Sequence, residues 1–306
     1  MHDVVIIGTG PAGLTAAIYA ARANLKPVIY AGFMHGGQLT TTTEVENFPG
    51  FEHGIMGPKL MTEMTSQAER FGTQIIYETI TKVDFSKRPF KLWADQKEIK
   101  AKAVIIATGA TAKTLGLPGE SELMGRGLST CATCDGFFYR NKVVAVTGGG
   151  DSAMEEANYL SKLCSQVYLI HRRAEFRASK IMVDRVLNNP KIKIMTPWSV
   201  KKPIGDNSGL TGLLIENLEN GKQEELKVDG LFMAIGHKPN SDIFLPWVDV
   251  DDHGYIKTTK HTATKTPGVF AAGDIADPVF KQAVTAAGLG CQAAIQAQRF
   301  LEEHEH

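Results

Sequence analysis

Two cysteines two residues apart, with an acid directly behind them, make Cys131-Ala132-Thr133-Cys134-Asp135 the segment of this sequence richest in chemistry. The spacing suits a tight, reversible disulfide, and thiolates in such motifs form more readily than an ordinary thiolate. Asp135 can donate or take the proton as thiol and disulfide interconvert, so Cys131, Cys134 and Asp135 are the candidate catalytic residues. The pair has two plainer readings: half of a zinc site, or inert core. Zinc needs two more ligands at suitable spacing. Cys164 and Cys291 are solitary within helical patterns, and no second Cys-x-x-Cys exists. They read as small core residues, His304 and His306 as solvated, and no metal site is expected.

A second cluster is cationic: His171-Arg172-Arg173, with Arg177 one turn further on and no acid before Glu175. It follows the strand-like run Val167 to Ile170, 23 residues after Gly148. NAD-type sites carry an acid at that point for the ribose 2′-hydroxyl. Guanidinium groups bind a 2′-phosphate bidentately and stay charged, so the expected coenzyme is NADPH. A solvated basic loop is the plainer alternative.

These groups need elements to position them. Val4 to Ile7 reads as a buried parallel strand, followed by Gly8-Thr9-Gly10-Pro11-Ala12-Gly13, a helix over Leu14 to Ala23 and a strand over Pro27 to Tyr30. In that context GxGxxG signals a dinucleotide: Gly8 for the turn, Gly10 for the approach of a pyrophosphate, Gly13 for helix–strand packing. The helix N-terminus supplies N–H groups to the phosphates. The pattern returns 140 residues later, with Gly148, Gly150 and Ala153 between the strand Val143 to Thr147 and a helix from Ser152 to Leu163. Two such units imply two dinucleotides, most often a flavin and a nicotinamide. Ala103 to Gly109 and Gly230 to Gly236 are matching later strands, and the loop signals behind them mark two crossings between domains. A further strand ends in Gly273-Asp274, and a small-residue helix is expected over Lys281 to Leu301, returning to the first domain. In the first unit the ribose position is Ala31, with neither acid nor cation. Gly36-Gly37-Gln38, Thr40 to Thr43 and Asn47 follow, where Gln38 and Asn47 are either ligand contacts or ordinary turn residues.

Composition narrows the class. Hydrophobic residues make up 43%, which argues against disorder. Lys plus Arg and Asp plus Glu are both 33, so the basic excess of a nucleic-acid binder is missing. No apolar run approaches membrane-spanning length, and the first residues run straight into a strand. The expectation is a cytoplasmic protein with no membrane or nucleic-acid partner.

Together GTGPAG, GGQLTTTTEVENFPG, ATGA, CATCDGFFYR, GGGDSA, HRRAEFRA and GVFAAGD resemble the low-molecular-weight thioredoxin reductases, over essentially the whole chain. The resemblance implies an α/β protein of two Rossmann-like domains, the NADPH domain (114–241) inserted into a discontinuous FAD domain (1–113 and 242–306). It implies a homodimer that reduces thioredoxin or a thioredoxin-like protein. It places Gly8, Gly10, Gly13, Gly37, Gln38, Asn47, Gly273, Asp274, Gln282 and Ala283 around FAD. It places Gly148, Gly150, Ser152, Ala153, His171, Arg172, Arg173 and Arg177 around NADPH. It also implies that Cys134 lies next to the flavin while Cys131 attacks the substrate disulfide. Two positions depart from the family pattern: Ala31, where many members have an acid, and Lys281, where Arg is usual. Rival readings are a ferredoxin or flavodoxin reductase or a dithiol oxidase on the same scaffold, and a non-catalytic flavin-binding redox sensor. CATCD argues against the ferredoxin type, the arginines against the oxidase, and both glycine motifs against the sensor.

Overall fold

The computed structural model describes residues 1–42 and 44–304, so Thr43 and His306 lie outside the described residues. The chain forms two compact units, Met1–Thr111 with Lys238–His306, and Ala112–His237. The crossings fall a few residues before the expected 113/114 and 241/242, and the C-terminal segment belongs to the first unit.

In chain order the first unit contributes β1 (His2–Ile7), α1 (Pro11–Arg22), β2 (Val28–Tyr30), β3 (Glu44–Val45), β4 (Ile55–Met56), α2 (Gly57–Arg70), β5 (Gln74–Ile76), β6 (Ile80–Asp84), β7 (Phe90–Ala94) and β8 (Lys97–Ile106). The chain leaves through β9 (Ala110–Ala112). The second unit adds α3 (Glu120–Leu123), β10 (Leu128–Ser129), α4 (Ala132–Asp135), β11 (Val143–Thr147), α5 (Asp151–Leu163), β12 (Gln166–Ile170), α6 (Lys180–Leu187), β13 (Ile192–Met195), β14 (Trp198–Asp206), β15 (Gly209–Asn217), β16 (Gln223–Leu226) and β17 (Gly230–Met233). The return runs through β18 (His237–Pro239) to β19 (Val269–Ala271) and α7 (Ala283–His304).

The sheet of the first unit has the order β5-β2-β1-β8-β7-β6, with β19 also on β8. β8 is long enough to do two jobs. Lys97 to Ala101 pair antiparallel with β7, and Val104 to Ile106 pair parallel with β19. Both faces are covered, which is why the strands read as unbroken apolar runs. Val4, Ile6 and Ile105 pack under α1 and α7. Val5, Ile7 and Ile106 meet Phe85, Phe90 and Phe244 on the other face. Each such fully buried aliphatic side chain stabilises by about 1.5–3 kcal/mol.

The second unit repeats the plan in smaller form, with the parallel order β10-β17-β11-β12-β13. Val144, Val146 and Leu169 pack under α5, together with Val186 of α6. Ala145, Ile170 and Leu231 pack against the antiparallel sheet β14-β15-β16 through Val200, Leu213 and Ile215.

The last helix starts later than its sequence pattern suggests. The expectation was Lys281, and α7 begins at Ala283. Lys281 has φ +49°, which no α-helix accepts. The Asp277 carboxylate accepts the N–H groups of Val279 and Phe280 at 2.9 Å and of Lys281 at 3.2 Å. That local turn holds the chain out of the helix until Gln282.

Candidate functional site

In the first unit the glycines expected around FAD converge on the N-terminus of α1. A Cβ at Gly13 would lie 1.9 Å from the Gly8 carbonyl oxygen, and one at Gly8 2.3 Å from that of Ala107. Backbone therefore meets backbone at the turn, and no side chain fits. A Cβ at Gly10 would meet nothing within 4 Å, leaving an open cradle beside the helix N-terminus, as a pyrophosphate requires. Gly37 borders the same space, 3.3 Å from the Gly10 Cα for a built Cβ, and Gly273 packs on Ala12. Asp274 follows at the end of β19, half-buried. Its carboxyl is pushed up to about 6, first by burial and then by the charge of Asp277, with Lys281 opposing. A desolvated carboxyl in such a place calls for a hydrogen-bonding partner, and the sugar hydroxyls of FAD would provide it. Asn47 Nδ2 donates to Gln282 Oε1 at 3.4 Å, and Gln38 Nε2 donates to the Ala110 carbonyl. Ala283 opens α7. Lys281, the departure from the family pattern, bonds its ammonium to the Pro278 carbonyl at 2.7 Å. Ala31 is buried, and its carbonyl accepts from the Thr9 hydroxyl at 3.4 Å.

The second glycine turn has the same form. A Cβ at Gly148 would lie 2.4 Å from the Ala234 carbonyl oxygen and 2.7 Å from the Ala153 Cβ, whereas Gly150 faces open space. Ser152 is exposed in the first turn of α5. The Asp151 carboxylate is engaged by the Ser179 N–H and hydroxyl, both at 2.8 Å, and these bonds hold its pKa below the usual range. Arg172, Arg173 and Arg177 are exposed, and the Arg177 N–H donates to the Gly149 carbonyl at 2.8 Å. This ties the arginine loop to the glycine turn.

His171 differs from its expected part as a cation. It is 6% exposed. Burial lowers its pKa first, and Arg177, Arg173 and Arg172 lower it further. Its Nε2 donates to the Glu175 carbonyl at 3.1 Å, and the ring stacks on Phe176. A Cβ at Gly149 would lie 2.2 Å from the imidazole. His171 is thus a neutral wall under the glycine turn, and the charge comes from the arginines.

The dithiol lies on α4. Cys131 and Cys134 form a disulfide with Cα atoms 5.3 Å apart. Cys131 is half-buried and Cys134 exposed. The Cys134 N–H donates to Cys131 Sγ at 3.2 Å, and the Thr133 hydroxyl lies 3.4 Å from the same sulfur. A thiolate at Cys131 would keep both partners. Asp135 is half-buried, and burial raises its pKa against the opposing effect of a hydrogen bond from Ser129. Cys164 is buried, its thiol pushed up to about 11 by burial, which suits a core residue. Among the described residues, no cluster of His, Cys, Asp or Glu has the arrangement of a metal site.

Comparisons with known proteins agree with this chemistry. Residues 2–290 match the family described as Pyridine nucleotide-disulphide oxidoreductase. Thioredoxin reductase 1, mitochondrial, of Arabidopsis thaliana is 54% identical over 97% of this chain and 83% of its own length. A thioredoxin reductase structure from Giardia duodenalis superposes with a TM-score of 0.94 at 44% identity, covering 98% of this chain and 99% of that one. The chain belongs to the low-molecular-weight thioredoxin reductases. It is therefore a flavin disulfide oxidoreductase whose cofactors are FAD and NADPH. A Pseudomonas fluorescens protein named glucosaminate ammonia-lyase is also 51% identical, over 98% of this chain and 95% of its own.

Three residues at these sites carry no motif signal of their own. Thr9 accepts the Gly36 N–H at 3.0 Å and so joins the first glycine turn to the Gly37-Gln38 loop. Gly149 occupies a variable position of the second motif, and three glycines in a row were the only hint of it. Ser129 stands two residues before the dithiol, 4% exposed, and contacts both Cys131 and Asp135.

Proposed function

We propose that this enzyme is a thioredoxin-disulfide reductase, passing electrons from NADPH through FAD to Cys131–Cys134 and on to thioredoxin or a thioredoxin-like protein. The observation that carries the reading is a Cys131–Cys134 disulfide with a half-buried carboxyl, Asp135, on the same turn. FAD, when bound, supplies the two-electron link between NADPH and the disulfide. The first unit holds it through Gly8, Gly10, Gly13, Gly37, Gln38, Asn47, Gly273, Asp274, Gln282 and Ala283. The second unit holds NADPH through Gly148, Gly150, Ser152 and Ala153, with Arg172, Arg173 and Arg177 on the 2′-phosphate and His171 behind Gly149.

In the reduced enzyme Asp135 takes the proton of the Cys131 thiol. Cys131 Sγ attacks one sulfur of the partner disulfide, and the other sulfur leaves and takes that proton back. Cys134 Sγ then attacks Cys131 Sγ, closing the intrachain disulfide and releasing the partner's second sulfur, which takes the Cys134 proton. Two electrons and two protons reach the partner. Phe137 and Phe138 are 52% and 36% exposed next to the dithiol, an apolar surface on which a disulfide protein can dock. Our reading of the assembly is a cytoplasmic homodimer with no nucleic-acid or membrane partner. No helix among the described residues is long and apolar enough to cross a membrane.

The test is NADPH oxidation by purified, FAD-loaded protein with oxidised thioredoxin, against oxygen alone. Rapid, thioredoxin-dependent oxidation is expected. Equal rates with and without thioredoxin would favour the oxidase reading. Elimination of ammonia from an amino sugar acid involves no net electron transfer and needs no dithiol, so the lyase name offers no account of Cys131 and Cys134.

A further inference from the structure

We infer that Ser129 is a positioning residue of the dithiol, holding the Asp135 carboxylate and the Cys131 backbone on a single hydroxyl. The Ser129 hydroxyl donates to Asp135 Oδ2 at 2.6 Å, and its oxygen accepts the Cys131 N–H at 3.0 Å. One small side chain therefore fixes the nucleophile's backbone and the proton-carrying group relative to each other. Ser129 ends β10, which pairs with β17 in the parallel sheet. Its hydroxyl is anchored to the frame of the unit, whereas α4 is a single turn of four residues.

The hydroxyl also acts on charge. A donor to a carboxylate favours its ionised form, and burial favours the neutral one. At Asp135 the two oppose each other, with burial the larger. The inference rests on the proposed role of Asp135, which takes the Cys131 proton before the attack and returns it to the departing partner sulfur. Without the hydroxyl the carboxyl would bind its proton more tightly and lose its fixed orientation.

Other ionisable groups lie around the same turn. Tyr139, on the turn that follows α4, is pushed up to about 12, first by burial and then by Asp135 and Asp229. Cys164, beyond it, lies at about 11. α5 packs against α4 and carries Asp151, Glu155, Glu156, Tyr159 and Lys162. Of these, Tyr159 reaches Gly136, with a ring carbon 3.1 Å from a built Cβ. Replacing Asp135 separates its titration from theirs and from that of the flavin.

The test is the pH profile of kcat/KM for oxidised thioredoxin, measured on FAD-loaded Ser129→Ala, Asp135→Asn and the double variant. Ser129→Gly removes the same hydroxyl and replaces Ser129→Ala if alanine upsets folding. Loss of the hydroxyl is expected to move the Asp135 inflection up by about half to one pH unit, the scale of one charge-assisted hydrogen bond. Asp135→Asn is expected to abolish the inflection, and adding Ser129→Ala to it to shift nothing further. If Asp135→Asn removes the inflection while both Ser129 variants leave it in place, the role of Ser129 is overturned and that of Asp135 stands. If Asp135→Asn leaves the inflection where it was, the proton role of Asp135 falls, and this inference with it.

Discussion

At the scale of single residues, the chemistry depends on two sulfurs in unequal surroundings. Cys131 Sγ receives the Cys134 N–H, while Cys134 itself is exposed. Replacing either sulfur by oxygen abolishes the Cys131–Cys134 disulfide. Losing Cys131 removes the sulfur that attacks the partner, and losing Cys134 removes the one that resolves the mixed disulfide. Cys131→Ser and Cys134→Ser should each lower thioredoxin-dependent turnover by more than about a hundredfold, because residues acting as one unit fail together. FAD should remain bound and still be bleached by NADPH, as stopped-flow absorbance can follow. Near-normal turnover in either variant would contradict the relay. The dithiol was legible from its spacing alone. Ser129 was not, because it sits six residues from Asp135 on another element, and no periodicity relates a strand end to the turn beyond it.

At the scale of elements, two contacts set the geometry of the binding turns. The first is the arginine loop after β12, tied to the glycine turn by Arg177 and Gly149. NADPH should exceed NADH in kcat/KM by at least about tenfold, and Arg172→Ala with Arg173→Ala should erase most of that preference. The expected loss is about 2–3 kcal/mol, the worth of a phosphate-binding charge pair. Equal use of both coenzymes by the unaltered enzyme would remove the arginines from that role. The second contact is the crossing of α7 over α1. A Cβ at Gly290 would lie 2.1 Å from the Ala12 carbonyl oxygen, and backbone cannot swing aside as a side chain can. Gly290→Ala should destabilise by about 1–3 kcal/mol, the usual cost of overpacking. A lower Tm and faster loss of FAD on dilution are expected, since Ala12 lies in the glycine turn proposed to hold FAD. An unchanged Tm would show that α7 can move away freely.

For the whole molecule, the proposed relay puts both electron-exchanging groups, the dithiol and the nicotinamide, on one inserted unit. Cys134 and Gly148 are 14 residues apart, in the same unit, and on the proposed assignment the dithiol and the nicotinamide would each have to reach a flavin bound by the other unit. A rigid insertion cannot present both at once. Two orientations of the units are therefore expected, exchanging during turnover about the crossings. Gly109 and Gly236 stand there with φ +66° and +94°, and a Cβ on either would meet nothing within 4 Å, so their conformation rather than packing calls for glycine. Asn240 fastens the crossings inside the first unit, donating to the Thr108 carbonyl at 2.8 Å and accepting from the Thr111 hydroxyl at 3.0 Å. Single-molecule energy transfer between probes on the two units should give two distances whose populations change on adding NADPH. One unchanging distance throughout turnover would contradict the exchange.

The two glycine turns, the buried strands, the inserted arrangement, the dithiol and the basic loop can all be read from the residues alone. Each of these is written in short spacings or in runs of one residue type, which local geometry reads directly. That His171 is a buried wall rather than a charge, that α7 waits for the Asp277 turn, and that Gly290 fits Ala12 emerge from the folded chain alone. Those outcomes depend on which atoms of distant segments meet. A hydrophobic pattern tells which face of an element is covered, but the identity of the covering atom is settled by packing in three dimensions.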